Sequence, residues 1–229
     1  GKTGPKIYFE YAETSQLPTY TALKSSPTAG LFRGNQDLGR ETSRNLELGM
    51  KNKAGGWDLE AAVFYRWDDD LVDWTYQFGS SSARSANAVD LGTAGFEVVA
   101  SHRTKALDVV LGYTFLHKNA DYGGATVDAS FYALNFPTQR LTAALTWRLG
   151  AGFEIRSDNE FRTEKANALR TVGGNQTVLS SLGVYYLPPQ LRGWEFSVQA
   201  DNLWDSNFQE VPSVPAARRQ IAGAVTTRW

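Results

Sequence analysis

The feature that most constrains this chain is a rhythm in its connections: segments of strict apolar alternation are joined, in turn, by very short links and by long ones. The clearest segment places Leu107, Val109, Leu111, Tyr113 and Phe115 on one side and Asp108, Val110, Gly112 and Thr114 on the other. That period of two is the mark of a strand with one apolar face. Residues 57–67 repeat it with Trp57, Leu59, Ala61, Val63, Tyr65 and Trp67, and residues 140–149 with Leu141, Ala143, Leu145, Trp147 and Leu149. Weaker copies lie at 6–11, 44–52, 93–103, 152–162, 178–187, 194–202 and 218–229, so that about ten strands are expected.

The links decide how those strands are arranged. Residues 53–56, 104–105, 150–151 and 188–193 are short and punctuated by Gly or Pro, whereas 12–43, 68–92, 116–139, 163–177 and 203–217 are long and rich in Gly, Ser, Asn and Asp. If consecutive strands run up and down, every short turn falls at one end and every long loop at the other. A soluble sandwich has no need of that asymmetry. An outer-membrane barrel has short turns on its periplasmic side, long loops on the cell surface and strands of roughly ten residues.

The side opposite the apolar one supports the same reading. It carries Glu47, Lys51, Glu60, Arg66, Glu97, Arg140, Arg148, Glu154, Arg156, Glu160 and Arg162. A packed core could not bury this set, but a watered or plugged lumen can. Trp57, Trp67, Trp147, Trp194 and Trp204 suit aromatic girdles at the edges of an apolar band.

Composition excludes other classes. Among 229 residues, 23 basic groups against 24 acidic ones leave no basic face for nucleic acid, which is not expected as a partner. No apolar run approaches the ~20 residues of a membrane-spanning helix. Cysteine is absent, which removes disulfides, thiolate metal sites and cysteine nucleophiles together. The sequence opens at Gly1 with neither Met nor a charged-then-apolar leader, and is read as a processed protein or a piece of a longer one.

Beyond the rhythm, the wording of the chain resembles TonB-dependent outer-membrane receptors. Gly34, Asn35, Leu38, Glu41, Thr42, Ser43, Glu47, Gly49 and Lys51 match that family's "G-N-P-x-L-x-P-E-x-S-x-x-x-E-x-G-x-K". Phe64-Tyr65 with Asp70-Leu71-Val72, Gly95-Phe96-Glu97, Tyr113-Thr114-Phe115-Leu116, Pro137 with Arg140, and Asn202-Leu203-Trp204-Asp205 match later motifs in order. The chain departs from the pattern at Gln16-Leu17-Pro18, at Asp37 to Arg40, where two prolines are missing, and at its end, which is Trp229 rather than Phe.

The resemblance implies an all-β, antiparallel transmembrane barrel of about 22 strands, of which this chain supplies the C-terminal part, without the N-terminal plug. It implies active uptake of a scarce, large nutrient of the ferric siderophore, haem, cobalamin or oligosaccharide class, energised by the TonB complex acting on the plug. Outer-membrane lipid would then be a partner, as would the barrel assembly machinery, which reads a last strand ending at Trp229. Glu47, Glu97, Arg140, Arg148, Arg156 and Arg162 would face lumen and plug, and Leu107, Val109, Leu111 and Tyr113 would face lipid. A passive porin, a small self-closed barrel and a soluble β-rich binding module are the alternatives.

No catalytic constellation is legible, and no enzyme activity or cofactor is expected. There is no Gly-x-Ser-x-Gly or His-Glu-x-x-His, and His117 near Asp121 is the one pairing at a strand end. Asp68, Asp69, Asp70 and Asp73 are a candidate Ca²⁺ cluster, set against the reading that adjacent carboxylates simply stay hydrated. The long loops hold Tyr20, Phe32, Trp74, Tyr76, Phe78, Tyr122, Phe131, Tyr132 and Phe136, suited to stacking on a small-molecule or chelate ligand.

Overall fold

The fold is that of a computed structural model, which describes residues 4–79 and 83–228. Its elements are β1 (Lys6–Gln16), α1 (Tyr20–Lys24), β2 (Phe32–Arg33), β3 (Glu41–Ala54), β4 (Trp57–Tyr76), β5 (Arg84–Arg103), β6 (Leu107–Asp121), β7 (Ala129–Ser130), β8 (Pro137–Gly150), β9 (Phe153–Glu164), β10 (Gln176–Tyr186), β11 (Trp194–Asp201) and β12 (Gln220–Thr227). The long strands pair in the order β1-β3-β4-β5-β6-β8-β9-β10-β11-β12, each antiparallel to the next. The short turns 55–56, 104–106, 151–152 and 187–193 therefore share one end of the sheet, as the rhythm of the sequence requires. The sheet is open among the described residues, with β1 and β12 as its edges. Trp229 lies outside the described residues.

The strands begin at the short turns where the alternation begins, but they run much further toward the long loops. β4 continues to Tyr76 and β5 starts at Arg84, so the expected 68–92 link is mostly a paired hairpin. Above the apolar band both sides of a hairpin can meet water, so alternation disappears while the hydrogen-bond ladder continues.

Cross-strand partners point to the same side, so the register assigns the faces. Phe96 pairs with Val63 and Phe115, Tyr113 with Val98 and Leu141, Leu107 with Trp147, and Phe161 with Val178, forming one continuous apolar side. On the other side Glu97 pairs with Thr114, Thr114 with Arg140, and Arg140 with Arg162. The expected grouping of Leu107, Val109, Leu111 and Tyr113 against Glu97, Arg140, Arg148, Arg156 and Arg162 is that of the structure. On the apolar side Leu141 is 50% exposed, and on the charged side Glu160, between its arginine partners, has 17% of its side chain exposed.

Two motif glycines on the charged side have a packing reason. The Tyr8 ring lies over Gly49 and the Phe64 ring over Gly95, so that a Cβ at either glycine would sit about 2.1 Å from the ring. Each aromatic covers the bare backbone of its cross-strand partner. The Tyr8 hydroxyl then donates to Glu47 at 2.7 Å.

Trp57, Trp147 and Trp194 lie on the apolar side at the short-turn end, and Trp67 lies on it toward the long loops. The run from Trp57 to Trp67 is about 33 Å of strand, or about 25 Å of height at a tilt near 40°, which matches an outer-membrane apolar band.

A candidate ligand-facing cap at the long-loop end

The cap begins with one extra residue. Asp68 of β4 pairs with Leu91, but the next pair is Leu71 with Val89, so β4 carries one residue more than β5 between them. Asp70 takes up the excess with a φ of 54°, in the left-handed region that Asp tolerates better than most residues. A slip of one residue exchanges the faces of everything beyond it. Asp73 thereby joins Asn87, Val89 and Leu91 on the charged side, and Trp74 and Tyr76 fall on the apolar side.

Asp73 is fully buried and accepts three hydrogen bonds, from the Tyr122 hydroxyl at 2.7 Å and from the backbone N–H groups of Tyr132 and Ala133 at 3.1 Å each. A buried carboxylate with three donors is a tether: it ties residues 122–136 to β4. Burial and the neighbouring carboxylate push the Tyr122 phenol well above its ordinary value, so it stays a proton donor. Val89, Leu91 and Ala133 form a small apolar core around this tether, with Leu71, Ala120 and Tyr122 against it.

Of the four expected Ca²⁺ carboxylates, only Asp73 belongs to the cap, and each of the four has a different environment. Asp68 accepts from Ser43 and Arg66, Asp69 pairs with Arg44, and Asp70 occupies the bulge, its N–H donating to Asp90. Among the described residues no three His, Cys, Asp or Glu side chains converge in a way that could hold a metal ion.

The aromatic candidates divide in the same way. Trp74 and Tyr76 are on β4 rather than in a loop, because the hairpin continues past the apolar band. Phe131 and Phe136 are buried in the cap, the first beneath the Arg84 guanidinium at 3.9 Å and the second beneath the Lys118 ammonium at 4.9 Å. Phe32 lies edge-on to Trp74 at 5.1 Å. Tyr122 is half-buried at the tether, while Tyr20 on α1 and Tyr132 in residues 122–136 present 81% and 57% of their surface to solvent.

Sequence reading missed the residues that hold the cap together. Arg170, with its side chain 1% exposed, donates to the carbonyl of Lys165 and to Asn175 Oδ1, both at 2.9 Å, and to Asn135 Oδ1 at 2.8 Å. Asn167 Nδ2 reaches the carbonyl of Ser130 at 2.8 Å, Asn135 Nδ2 that of Glu210 at 3.2 Å, and the Thr171 N–H donates to Gln209 Oε1 at 3.0 Å. Isolated polar residues in Gly-rich loops have no local pattern that would announce such a role.

The Asn202-Leu203-Trp204-Asp205 motif closes the cap onto the sheet. Asn202 takes a φ of 48° and its amide donates to the carbonyls of Ser206 and Ala217, which folds the chain back after β11. Trp204 Nε1 donates to Ser180 Oγ at 2.8 Å. The Asp205 carboxylate accepts from Arg218 at 3.0 and 2.6 Å and from the Arg219 N–H at 3.0 Å, and these donors hold its pKa well below the usual carboxylate range.

Residues 5–203 match a family model described as TonB dependent receptor-like, beta-barrel. The fold is similar to solved structures of the copper transporter OprC (TM-score 0.71, 18% identity) and of the FrpB iron transporter from Neisseria meningitidis (0.68, 16%). It is also similar to the pyoverdine outer membrane receptor FpvA from Pseudomonas aeruginosa PAO1 (0.66, 14%). These likenesses cover 99%, 98% and 98% of this chain but 37%, 37% and 34% of those chains, so it spans about a third of their length. At such identities the likeness is one of fold. No curated protein sequence matches the chain.

Proposed function

The chain belongs to the TonB-dependent receptor-like β-barrel family, and on that premise we propose that it forms part of the wall and outer cap of an outer-membrane transporter. The intact protein draws a scarce, large nutrient inward with energy delivered through TonB, and performs no reaction on it. This chain is the C-terminal part of a longer barrel, and its edges β1 and β12 pair with further strands. The apolar side meets lipid, and the barrel assembly machinery folds the chain into the membrane. Similar structures described as copper and iron transporters and as a pyoverdine receptor favour a metal or metal chelate as cargo.

The observation that carries this reading is the charged side of the sheet. Arg148 bridges Asp108 and Glu154 at 2.7 and 3.4 Å, and Arg156 meets Glu154 at 2.6 Å. Ion pairs open to solvent contribute only ~0–1 kcal/mol each, so a plug resting on such a wall is held by contacts that can be exchanged when it is pulled. Glu47, Glu97 and Arg140 extend the same surface. Tyr20, Tyr132 and Phe32 contact the cargo from the cap.

Uptake of copper, ferric siderophores and haem by cells carrying the intact protein, with and without TonB, tests the proposal. Uptake that depends on TonB is expected. Equal uptake in both strains would overturn the active mechanism in favour of a passive porin.

A further inference from the structure

The apolar side of the sheet carries a polar inset on β9. Leu141 pairs with Phe161, Ala143 with Asn159 and Leu145 with Ser157, so Ser157 and Asn159 share the face of the apolar residues around them. They stand four and six residues above Phe153 at the short-turn end, as Ala61 and Val63 stand above Trp57, which sets them inside the band and away from its lower rim. Hydrocarbon offers a carboxamide neither donor nor acceptor.

Asn159 is exposed, and its amide is satisfied at one end only. Nδ2 donates to the carbonyl of Ala143 at 3.3 Å and to Ser157 Oγ at 3.0 Å, which uses both of its N–H groups. Among the described residues no donor reaches Asn159 Oδ1, and the Ser157 hydroxyl accepts a bond without an acceptor for its own proton. The adjoining hydroxyl on β10 is already taken: Ser180, opposite Asn159, is buried and accepts from Trp204 Nε1 at 2.8 Å. The inset thus holds one unused donor and one unused acceptor, two residues apart on a single strand. Beside them lies the short Ala143 side chain, with Leu141, Phe161 and Leu182 exposed around it.

That inventory selects the occupant. A donor and an acceptor side by side complement themselves under a two-fold axis: Ser157 of one copy donates to Asn159 of the other, and the reverse. Small side chains let two membrane-embedded surfaces approach, and side-chain hydrogen bonds between them add to the packing. We propose that the β8–β10 wall is a self-association surface, at which two copies of the intact barrel pair side by side through Asn159 and Ser157. The proposal rests on the reading that the apolar side faces lipid. Pairing on that side leaves the charged side and the cap free.

Energy transfer between donor- and acceptor-labelled copies of the intact protein, diluted in phosphatidylcholine vesicles, tests this. Parent dimers are expected, and Asn159→Leu should raise the dissociation constant roughly 5- to 30-fold, the range for side-chain hydrogen bonds between membrane segments. Ser157→Ala keeps the amide and removes only the donor; it should act in the same direction and serves if Asn159→Leu assembles poorly. Ala143→Cys should cross-link between copies, and Val63→Cys on β4 should not. A fluorophore on Val63→Cys, quenched by brominated acyl chains, tests the lipid-facing premise separately. With that quenching present, a parent monomeric at every dilution, association unchanged by both variants, or equal cross-linking at the two cysteines would overturn the two-fold pair alone. Absence of quenching would overturn the lipid-facing reading and the pair with it.

Discussion

Arg140 and Arg162 stand directly opposite each other on β8 and β9, two like charges on one rung, and the single carboxylate of Glu160 reaches both, at 2.7 and 3.3 Å. Opposed like charges across an antiparallel pair are destabilising. Glu160→Gln should therefore cost ~1–3 kcal/mol, since Arg162 is buried and loses a charged partner. Adding Arg140→Gln should recover part of it. Thermal unfolding of the parent and the two variants checks this; a double variant no better than Glu160→Gln would exclude repulsion as the cause.

Asp73→Ala should free the cap from β4. The Tyr122 hydroxyl and two backbone N–H groups lose their acceptor, at ~1–3 kcal/mol for each group left buried without one. The expected result is faster proteolysis within 122–136 while the barrel still assembles. Deleting 131–136 is a harsher change than trimming an exposed loop, because it removes buried Phe131, Ala133 and Phe136 together.

Acidification should loosen the segment after β11 only at strongly acid pH. The donors from Arg218 and Arg219 lower the folded-state pKa of Asp205. Its contribution is thus complete above the ordinary carboxylate value near 4, and is lost as pH falls from there through the depressed folded value. Asp205→Asn should raise proteolytic cleavage within 202–219 at pH 7 and pH 5 alike, and the difference from the parent should narrow only in stronger acid. A difference already gone at pH 5 would contradict this assignment.

Val63 lies between Trp57 and Trp67 on the apolar side of β4, near the middle of the inferred band. Val63→Arg should cost ~2–4 kcal/mol, the penalty for arginine at a bilayer midplane. Val109 is two residues from the start of β6, nearer an interface, and the same change there should cost ~0–1 kcal/mol. Ala144→Arg, on the charged side, should be tolerated. Folding titrations in lipid distinguish the three.

The apolar band was legible because a strand with one apolar and one charged side has a period of two. The upper strands were not, since Asp68 to Tyr76 and Arg84 to Asp90 carry no alternation yet stay paired on both sides of the bulge at Asp70. The acidic run was legible as unusual, but its meaning was not: Asp70 fills a bulge and Asp73 tethers a loop, roles that depend on β5 and on residues 122–136. Tyr20 and Tyr132 could be picked out as aromatic, yet only the fold separates them from Phe131 and Phe136. Arg170 meets Asn135 across 35 residues of chain and Asn135 meets Glu210 across 75, beyond the reach of any local pattern.

The bulge at Asp70 acts on β4 as a frameshift acts on a message. Below it, odd-numbered residues such as Val63 and Trp67 are read out on the apolar side; above it, odd-numbered Asp73 is read out on the other. Adding or removing one residue at the bulge itself would therefore exchange the faces of Asp73 and Trp74 relative to the strand below. A lineage can overhaul its outer mouth in one genetic step, and the wall beneath, in the older frame, is untouched.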